Sequence, residues 1–574
     1  MNSATIASTA GIVIPAAALH WMHAAAARSA CCMLTALLVW AATPGLGDQP
    51  VFAVLALTPY FLCLRGLRPR AATAWGLVAG LCYAVPGKFP PFYHAVTSVH
   101  PSWRGDLELA VLFGAVAAPF ALFGALWCAL PRLQRGAIAP WIAGFGLASA
   151  ILCCPQVFMY TPAVLISRWP LLTQLAEIGG EPLLLGLLLT LNAGLAQCWP
   201  GAGNRGAVLA VLVPAALALG YGVWRLPQVD SEPSERLTVL TLQAQWPSGT
   251  PDAMLTRDLG LSAPRSAIEL TRAGVAANPD VALVLWPETP RVTRLPDRSC
   301  IAAQRLAAEL DTPLLITCHL ADDILTTRLV TPAGIQAERR KARRVPAIER
   351  PLLEASDPLA EAGSPIAAAE LPPLLAAICY EIHFRHDLRR AVNAGAQVLL
   401  QQANLSLFRD WRGGELDLAM ARIHAVELRR SLLRSVNGGS AGMVLPSGRW
   451  LAAGDAETSA FSAQRAPLRS DLTPYARFGD SLFWLVLASM AALSVLRARP
   501  GAPVSQVSNQ GRSYSNCRSE SVGDTHAKIA NGSPWYGAVR QSARRMIYLP
   551  PPAADQGVVC RDSRPRLATT KGVR

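Results

Sequence analysis

Seven long apolar runs in the first 224 residues limit what this chain can fold into more than any other feature. Because about 20 apolar residues are needed to cross the ~30 Å hydrocarbon core of a bilayer, each run is a candidate membrane span. The runs cover residues 29–46, 49–65, 71–86, 107–130, 136–160, 181–199 and 206–224. An eighth apolar run, Ser481–Leu496, lies much later in the chain. The sequence therefore predicts a multi-span α-helical membrane bundle.

The composition also disfavours a wholly soluble protein. Only 16% of the residues are charged and 52% are hydrophobic, whereas an average soluble chain has about 25% charged residues. The net charge of +14 does not indicate nucleic-acid binding, because half of it comes from the 11 basic and 4 acidic residues of 501–574. We therefore expect no nucleic-acid partner. Residues 498–574 lack apolar periodicity and are predicted to be a disordered basic tail.

The arginines between the predicted spans favour one orientation in the membrane. Short cytoplasmic loops carry an excess of Lys and Arg, and with seven spans before residue 225 the loop arginines all fall on one side. These arginines are Arg28, Arg65, Arg68, Arg70, Arg132, Arg135 and Arg205. We therefore predict that the loops 87–106 and 161–180 and the segment 225–480 lie on the side of the membrane opposite to the cytoplasm. The predicted domains are an N-terminal segment 1–28, a membrane domain 29–224, the segment 225–480, a last span 481–497 and the tail.

The sequence pattern of the segment 225–480 is typical of a layered α/β domain. Short β-type runs alternate with stretches of helical spacing, and this order is typical of sheets that are covered by helices. The predicted strands are Leu237–Gln243, Val281–Trp286, Pro313–Thr317, Leu374–Cys379 and Ala396–Leu400. The predicted helices are 265–277, 299–310, 384–394 and 415–430.

Three polar residues of this domain stand near predicted strand ends, the edge at which α/β domains place their sites. Glu288 follows one strand, Cys379 ends another, and Lys341 is the only lysine between residues 225 and 480. Alone, each has a simpler explanation, as a solvated loop glutamate, a surface lysine or a small core cysteine. Together they form a workable acyl-transfer site with a cysteine nucleophile, a glutamate general base and a lysine that holds the oxyanion. A helix start after Cys379 is expected to favour its thiolate.

The sequence motifs around these residues resemble those of the apolipoprotein N-acyltransferase family in the nitrilase, or carbon–nitrogen hydrolase, superfamily. Trp286-Pro-Glu-Thr resembles the family's W-P-E-T element, and Cys379-Tyr-Glu-Ile resembles its C-Y-E-I element. Lys341–Pro351 is similar to the family stretch K-x-x-L-V-P-F-G-E-Y-V-P. Met420–Gly439 and Leu472–Arg477 resemble two further stretches of the family. The resemblance covers roughly residues 35–497.

The resemblance implies a nitrilase-like αββα sandwich outside the membrane and a two-step reaction. Cys379 would take an acyl chain from a phospholipid as a thioester and pass it to the N-terminal amine of a lipoprotein or to another amine. Glu288 would move the proton, and Lys341 would stabilise the oxyanions. The family's other site positions match supporting residues and possible substrate-binding residues, namely Glu349, Tyr380 and Glu381, and Trp246 and Asn404. No metal and no organic cofactor is expected.

Departures from the family pattern leave two alternatives open. The family element S-N-D-A-W-F-G stands here as Ala403–Arg409 and keeps only Asn404 of its polar residues, and the loop Gly87–His94 is also unlike the family. A TraB-type conjugal-transfer protein with a nitrilase-like domain and another acceptor is one alternative. A non-catalytic envelope assembly scaffold is the other. A transporter is disfavoured, because the predicted spans lack charges of the kind that mark ion paths.

Three other patterns have plain explanations. Gly438-Gly-Ser-Ala-Gly matches a serine-hydrolase motif, but the only later histidine is His526 in the tail, so a turn before the strand Met443–Leu445 is the better interpretation. His383 and His386 have a possible metal-ligand spacing without further ligands to complete a site. Cys300 and Cys318 could pair in an oxidising compartment, but the sequence does not show their distance.

Overall fold

The structure of the chain is a computed structural model that describes most of the first 498 residues. The described ranges are 16–198, 205–231, 235–245, 266–288, 296–319, 325–346, 348–350, 362–368, 370–408, 411–455 and 458–498. All of them belong to one compact unit, Met1–Ala502. Trp246 and the predicted tail beyond Ala498 lie outside the described residues.

The N-terminal part of the described chain is helical throughout. Its α-helices are α1 (Ala16–Ala42), α2 (Thr58–Cys63), α3 (Pro69–Val99), α4 (Trp103–Ala129), α5 (Ala139–Cys153), α6 (Pro170–Thr173), α7 (Ala176–Cys198) and α8 (Arg205–Ser231). Four helices are long and apolar enough to cross a membrane, namely Ala24–Ala42, Trp103–Ala129, Ala176–Cys198 and Arg205–Ser231. Shorter apolar helices cover Pro50–Cys63, Ala139–Cys153 and Ser481–Ser494. The predicted helical membrane bundle is thus confirmed, while the count of eight spans stays a prediction.

Helix α3 differs most from the sequence expectation. The sequence predicts a span that ends at residue 86 and a loop over 87–106, but α3 continues to Val99. Phe92, Ala95 and Val96 are buried in the helical bundle, and this packing extends the helix beyond the apolar run. Lys88 consequently lies in a helix, where it is only 6% exposed. The expectation that residues 87–106 form a loop is therefore wrong for residues 87–99.

Close packing of α3 against α4 depends on small residues. A Cβ atom at Gly80 would come within 2.7 Å of the Ala117 Cα atom, and one at Gly76 would come within 2.6 Å of the Phe120 carbonyl oxygen. Small residues let helix backbones approach in membranes, where packing rather than hydrophobic exclusion holds helices together. These glycines therefore set the distance between the two helices.

The second part of the chain contains six further α-helices and twelve strands among the described residues. The helices are α9 (Ala267–Ala277), α10 (Pro296–Leu310), α11 (Arg385–Asn393), α12 (Trp411–Leu428), α13 (Pro474–Phe478) and α14 (Ser481–Ala498). The strands are β1 (Arg236–Ala244), β2 (Leu283–Leu285), β3 (Leu314–His319), β4 (Leu325–Thr331), β5 (Gly334–Arg340), β6 (Ile366–Ala368), β7 (Leu371–Ile378), β8 (Val398–Asn404), β9 (Ser431–Asn437), β10 (Gly442–Val444), β11 (Trp450–Ala452) and β12 (Ala460–Pro467).

These strands form two half-sheets in the order β5-β4-β3-β2-β1-β9-β8-β7-β6. The halves join only at the ends of β1 and β9, where Gln243 pairs with Val436 and Ala244 pairs with Asn437. The central strands β1, β2 and β3 run parallel, as do β7, β8 and β9. Parallel strands bring their carboxyl ends to one edge, and that edge carries the three candidate residues.

The two half-sheets and the helical layer on each outer face make four layers. The inner faces pack on each other through residues such as Val239, Leu285, Leu374 and Leu400. The outer face of one half packs against α9 and α10, and the outer face of the other packs against α11 and α12. Each central strand is buried on both faces, which explains its nearly continuous apolar sequence. The predicted αββα sandwich is confirmed.

All five predicted strands and all four predicted helices of this domain are present. The strands that the sequence did not indicate are β4, β5, β6, β9, β11 and β12, which are short or carry polar residues that interrupt the apolar pattern. Strand β9 lies at the centre of the sheet order, so the missed strands are not confined to the margins. Strand β5, for example, reads Gly-Ile-Gln-Ala-Glu-Arg-Arg and has several exposed positions. Pairing with β4 in the folded domain makes this segment a strand, although its sequence has only a weak preference for strand conformation.

A kink in α7 joins the bundle to the sandwich. Gly179 and Gly180 leave the helical conformation, and Gly180 has φ +69°. A Cβ atom at Gly180 would come within 2.3 Å of the Tyr475 ring. The backbone N–H of Glu181, directly after the kink, donates to Glu427 Oε1 on α12 at 2.5 Å. Glycine is needed here for both the left-handed backbone and the close approach.

Candidate active site

Glu288, Lys341 and Cys379 come together at the carboxyl ends of three different strands. Glu288 lies three residues after β2, Lys341 directly follows β5, and Cys379 directly follows β7. The Lys341 Nζ atom lies 2.8 Å from Glu288 Oε1. The Glu288 carboxyl group and the Cys379 thiol are close enough for each to shift the pKa of the other. A nucleophile, a carboxylate within reach of its proton and a cation thus lie in one cluster, as acyl transfer requires.

The backbone at Cys379 has a conformation that is rare for a non-glycine residue. Its φ is +50°, and it begins the five-residue 3₁₀ turn Cys379–His383. Such strain persists only where the surroundings hold it. Here Glu381 of the same turn accepts hydrogen bonds from the backbone N–H groups of Ile378, at 2.8 Å, and Ala342, at 2.7 Å. Glu381 therefore ties the nucleophile turn to the segment that carries Lys341.

Arg339 also holds Glu381 in place, and the sequence analysis did not identify Arg339 as a site residue. Its guanidinium group donates to both carboxylate oxygens of Glu381, at 2.7 and 3.0 Å, and to the Ala376 carbonyl oxygen at 2.9 Å. Both partners of the ion pair are buried. The arginine-rich run 339–344 was a signal in the sequence, but nothing local distinguishes Arg339 from the less buried arginines beside it.

Lys341 is held between two carboxylates. Besides Glu288, its Nζ atom contacts Glu349 Oε1 at 2.6 Å, and Glu349 Oε2 accepts the Val345 backbone N–H at 2.7 Å. Burial alone would lower the pKa of Lys341, but Glu288 and Glu349 outweigh it and hold the pKa well above its usual value. The ammonium group is therefore charged at neutral pH and available to an oxyanion.

The same burial raises the pKa of the other two groups. Burial raises the pKa of Glu288, while Lys341 and the Cys379 thiol oppose the shift. Burial and then the Glu288 carboxylate raise the pKa of Cys379 well above its ordinary value, and Lys341 opposes them only in part. The predicted stabilisation of a resting thiolate by the following turn is therefore wrong. A neutral thiol beside a carboxylate is the resting state, because burial and the charge of Glu288 both disfavour the thiolate.

The other predicted site residues take different positions. Glu349 contacts Lys341, and Glu381 anchors the turn, as described above. The Asn404 backbone N–H donates to Glu288 Oε2 at 3.0 Å, whereas its side-chain oxygen accepts from Ser406 and, at 3.0 Å, from Asn437. Asn404 thus contacts the base through its main chain.

Tyr380 connects the site to the membrane bundle. Its hydroxyl donates to the Val157 carbonyl oxygen, and its ring meets the Phe158 ring edge-on with centroids 5.2 Å apart. Val157 and Phe158 lie in the segment that follows α5. Phe158 also packs against Phe92 of α3, with centroids 4.6 Å apart. Aromatic side chains from the helical bundle therefore form the apolar wall next to the nucleophile.

A buried polar cluster lies behind the nucleophile turn and was not anticipated. Asp417 accepts from Gln401 at 2.8 Å and pairs with Arg434 at 2.9 Å and His383 at 3.3 Å. His386 instead pairs with Asp480 at 3.6 Å. The two histidines thus have separate carboxylate partners. Among the described residues, no group of three or more His, Cys, Asp or Glu could hold a metal ion.

The remaining sequence patterns are resolved as follows. Cys300 and Cys318 form a disulfide, with Cα atoms 6.3 Å apart. The Ser440 hydroxyl donates to Glu415 at 2.9 Å and stands in the turn that leads into β10.

Two curated relatives match the chain over most of its length. The chain is 27% identical over 486 residues to an apolipoprotein N-acyltransferase of Gloeobacter violaceus, and the alignment covers 79% of this chain and 90% of the relative. The chain is 28% identical over 492 residues to an apolipoprotein N-acyltransferase of Rhizobium leguminosarum bv. trifolii, and this alignment covers 75% of the chain and 86% of the relative.

Among solved structures, the nitrilase-superfamily member Nit3 of Saccharomyces cerevisiae matches at 17% identity and a TM-score of 0.32, covering 40% of this chain and 90% of that one. No protein-family model matches the chain. With 79% of the chain aligned to a curated apolipoprotein N-acyltransferase, the predicted resemblance to that family is confirmed.

Proposed function

We propose that the chain is an N-acyltransferase that moves a fatty acyl chain from a phospholipid, through a Cys379 thioester, to the N-terminal amine of a lipoprotein. The observation that carries this proposal is the buried cluster of Glu288, Lys341 and Cys379 beside an aromatic wall supplied by the membrane bundle. A donor with a long acyl chain suits such a wall better than a small soluble amide does. The names of the two curated relatives support the same acceptor class.

In the first half-reaction the thiol sulfur attacks the ester carbonyl of the phospholipid. Glu288 takes the thiol proton as the C–S bond forms, and Lys341 stabilises the negative oxygen of the tetrahedral intermediate. The C–O bond then breaks. Glu288 returns its proton to the leaving lysophospholipid oxygen, which leaves Cys379 as the acyl thioester.

In the second half-reaction the free amine of the acceptor attacks the thioester carbonyl. Glu288 takes a proton from the attacking nitrogen, and Lys341 again stabilises the oxyanion. The C–N bond forms and the C–S bond breaks. The departing sulfur recovers the proton from Glu288, so the enzyme returns to its neutral thiol.

The periplasmic side of a bacterial inner membrane is the proposed location of the sandwich. The arginine-rich loops before residue 225 support this orientation, and an acceptor that is itself a membrane-anchored lipoprotein requires the site to face the membrane. The two reported relatives are N-acyltransferases by name, and no observation favours the conjugal-transfer alternative.

Intact-mass spectrometry of the purified full chain after incubation with phospholipid tests the proposal. We expect a mass increase of one acyl chain, its absence in Cys379→Ala, and its discharge by a diacylated lipopeptide. Cys198→Ala, which removes an exposed free cysteine at the end of α7, is the matched control and should acylate normally. An adduct that the lipopeptide does not discharge would contradict the acceptor. No adduct at all would favour the non-catalytic scaffold.

A further inference from the structure

We propose that a large apolar cavity between α6, α7 and α8 binds one acyl chain of a membrane phospholipid, with the phosphate of that lipid on Arg449. This lipid is a resident part of the junction between the bundle and the sandwich, and it is not the lipid that reacts at Cys379. The inference does not depend on the proposed function, because Glu288, Lys341 and Cys379 are not among the residues that line the cavity.

The size and the walls of the cavity indicate an apolar ligand. Its volume is about 650 Å³, within the range of ~300–1,000 Å³ that is typical of ligand pockets. Apolar side chains of the three helices form its walls, for example Leu172 of α6, Leu188 of α7 and Ala218 of α8. Folded proteins contain few voids larger than a water molecule, and apolar walls offer water no hydrogen-bond partners. An apolar chain is therefore the ligand that the cavity fits.

Close contacts between the helices fix the shape of the cavity. A Cβ atom at Gly222 of α8 would come within 1.8 Å of the Leu171 carbonyl oxygen of α6. A Cβ atom at Gly194 of α7 would come within 3.0 Å of the Ala207 carbonyl oxygen of α8. The three helices are thus already in place around the cavity, and a lipid chain does not have to separate them in order to bind.

The depth of the cavity matches one leaflet of a bilayer. Its lining residues on α8 extend from Pro214 to Leu226, which is about 18 Å at ~1.5 Å per residue. One half of the ~30 Å hydrocarbon core is about 15 Å. Trp169 and Leu219 line the cavity and are exposed. The cavity therefore opens on the outer surface of the bundle, where the acyl chains of the surrounding lipids lie.

Arg449 supplies the charge that a phospholipid headgroup requires. It is the one charged residue among the described residues that line the cavity, and it lies in the turn between β10 and β11 of the sandwich. Its Nη1 atom pairs with Asp230 Oδ2 at 3.2 Å, and its side chain is 56% exposed. Exposed ion pairs are weak, and a guanidinium group has further N–H donors for a phosphate. A lipid with its chain in the cavity and its phosphate on Arg449 would connect α8 to the sandwich.

Native mass spectrometry of the full chain, purified in detergent from membranes, measures which lipids stay bound. We expect one retained phospholipid per chain, in Cys379→Ala as well as in the unaltered chain. Adding phospholipid back to the stripped protein should raise its thermal midpoint, because a ligand stabilises the folded state that binds it. Ala218→Trp should fill the cavity and remove the retained lipid. Ala216→Trp is the matched control, because Ala216 is exposed on the same helix and is not a lining residue.

Arg449→Gln tests the phosphate contact separately. The phospholipid concentration that gives half occupancy in a native-mass titration should rise about tenfold, as is typical of a lost hydrogen bond to a charged group. Arg449→Lys should keep part of the affinity, because it keeps the charge. Arg465→Gln is the control, since Arg465 also forms an exposed ion pair with an aspartate, Asp280, and it should leave the occupancy unchanged.

Normal lipid retention in Ala218→Trp would overturn the inference, and so would retention of a free fatty acid in place of a phospholipid. A parallel loss of Cys379 acylation in Arg449→Gln would also overturn it, because the bound lipid would then be the donor. If Ala218→Trp fails to fold, Arg449→Gln decides alone. The absence of any Cys379 adduct in the unaltered chain would instead mean that the proposed function fails, and lipid retention would still decide the present inference.

Discussion

The buried charges at the candidate active site and the buried Lys88 of the membrane bundle have different kinds of partner. At the candidate active site the buried charges have partners, with Lys341 between Glu288 and Glu349 and Arg339 against Glu381. In the bundle, Lys88 donates to the Tyr160 carbonyl oxygen and lies over the Tyr83 and Tyr160 rings. Pairing orients the catalytic groups before a substrate arrives, whereas these contacts of Lys88 are to neutral groups.

Where the bundle and the sandwich meet, the buried charges are also paired. Glu177 of α7 pairs with Arg429, which directly follows α12, at 2.6 Å and with Arg225 of α8 at 2.9 Å. Charges from both regions thus neutralise each other where the regions meet. Breaking a buried pair by removing one partner costs far more than the pair contributes over an apolar substitute, so these contacts specify how the sandwich sits on the bundle.

The largest expected effect follows from removing the base. Glu288→Gln keeps the shape of the side chain but cannot take the Cys379 proton, and general-base catalysis contributes about 10²–10⁴-fold to a rate. We expect both the acylation rate and the discharge rate, measured separately by intact mass, to fall within that range. A variant that slows only one half-reaction would contradict the shared role of Glu288.

The pH dependence of the unaltered chain sharpens this prediction. Burial raises the pKa of Glu288, so the carboxylate gains a proton at a higher pH than an exposed glutamate does. The acylation rate should therefore fall on the acid side as pH decreases through that raised pKa. Glu288→Gln should lack this acid limb, and an identical limb in the variant would assign it to another group.

Arg339→Ala tests the pairing inside the sandwich. It leaves the Glu381 carboxylate buried without its cation, and breaking a buried ion pair costs about 3–5 kcal/mol of folding stability. We expect a clearly lower thermal midpoint in detergent together with slower acylation, because Glu381 holds the Cys379 turn. Arg328→Ala removes a more exposed arginine that pairs with Glu338 and is the matched control, with a small shift. A thermal midpoint equal to that of the control would contradict the role of Arg339 in holding Glu381 and the Cys379 turn.

Lys341→Ala should lower the acylation rate by about 10²–10³-fold, or about 3–4 kcal/mol in the barrier, which is typical of a lost oxyanion donor. The substitution also removes the cation that opposes the raised pKa of Glu288. The acid limb of the rate should therefore move to higher pH. An acid limb at the original pH would argue against direct electrostatic contact between the two residues.

The smallest effect is expected in the bundle, where shape rather than charge sets the contact. Gly180→Ala places a Cβ atom on a left-handed backbone and against the Tyr475 ring, at a cost of about 1–3 kcal/mol. The thermal midpoint in detergent should fall while the pH profile of the remaining activity stays the same. Gly220→Ala, which meets open space on α8, is the control and should leave the midpoint unchanged or raise it.

Much of the architecture could be predicted from local patterns. Apolar length predicted the helices of the bundle, and apolar runs in alternation with helical spacing predicted β1, β2, β3, β7 and β8, because strands that are buried on both faces have nearly continuous apolar sequences. The strands β4, β5, β6, β9, β11 and β12 could not be found in this way. Their polar positions resemble loops, and pairing with a neighbour decides their conformation.

The sequence by itself determined the membrane bundle, the αββα sandwich and the identity of Glu288, Lys341 and Cys379 as candidates. Only the tertiary structure decided which groups meet. Arg339 and Glu381 are 42 residues apart in the chain, and Asp417 and His383 are also distant. The resting thiol of Cys379 and the burial of Lys88 depend on the same long-range packing, because a pKa or an unpaired charge is a property of surroundings that no local pattern encodes.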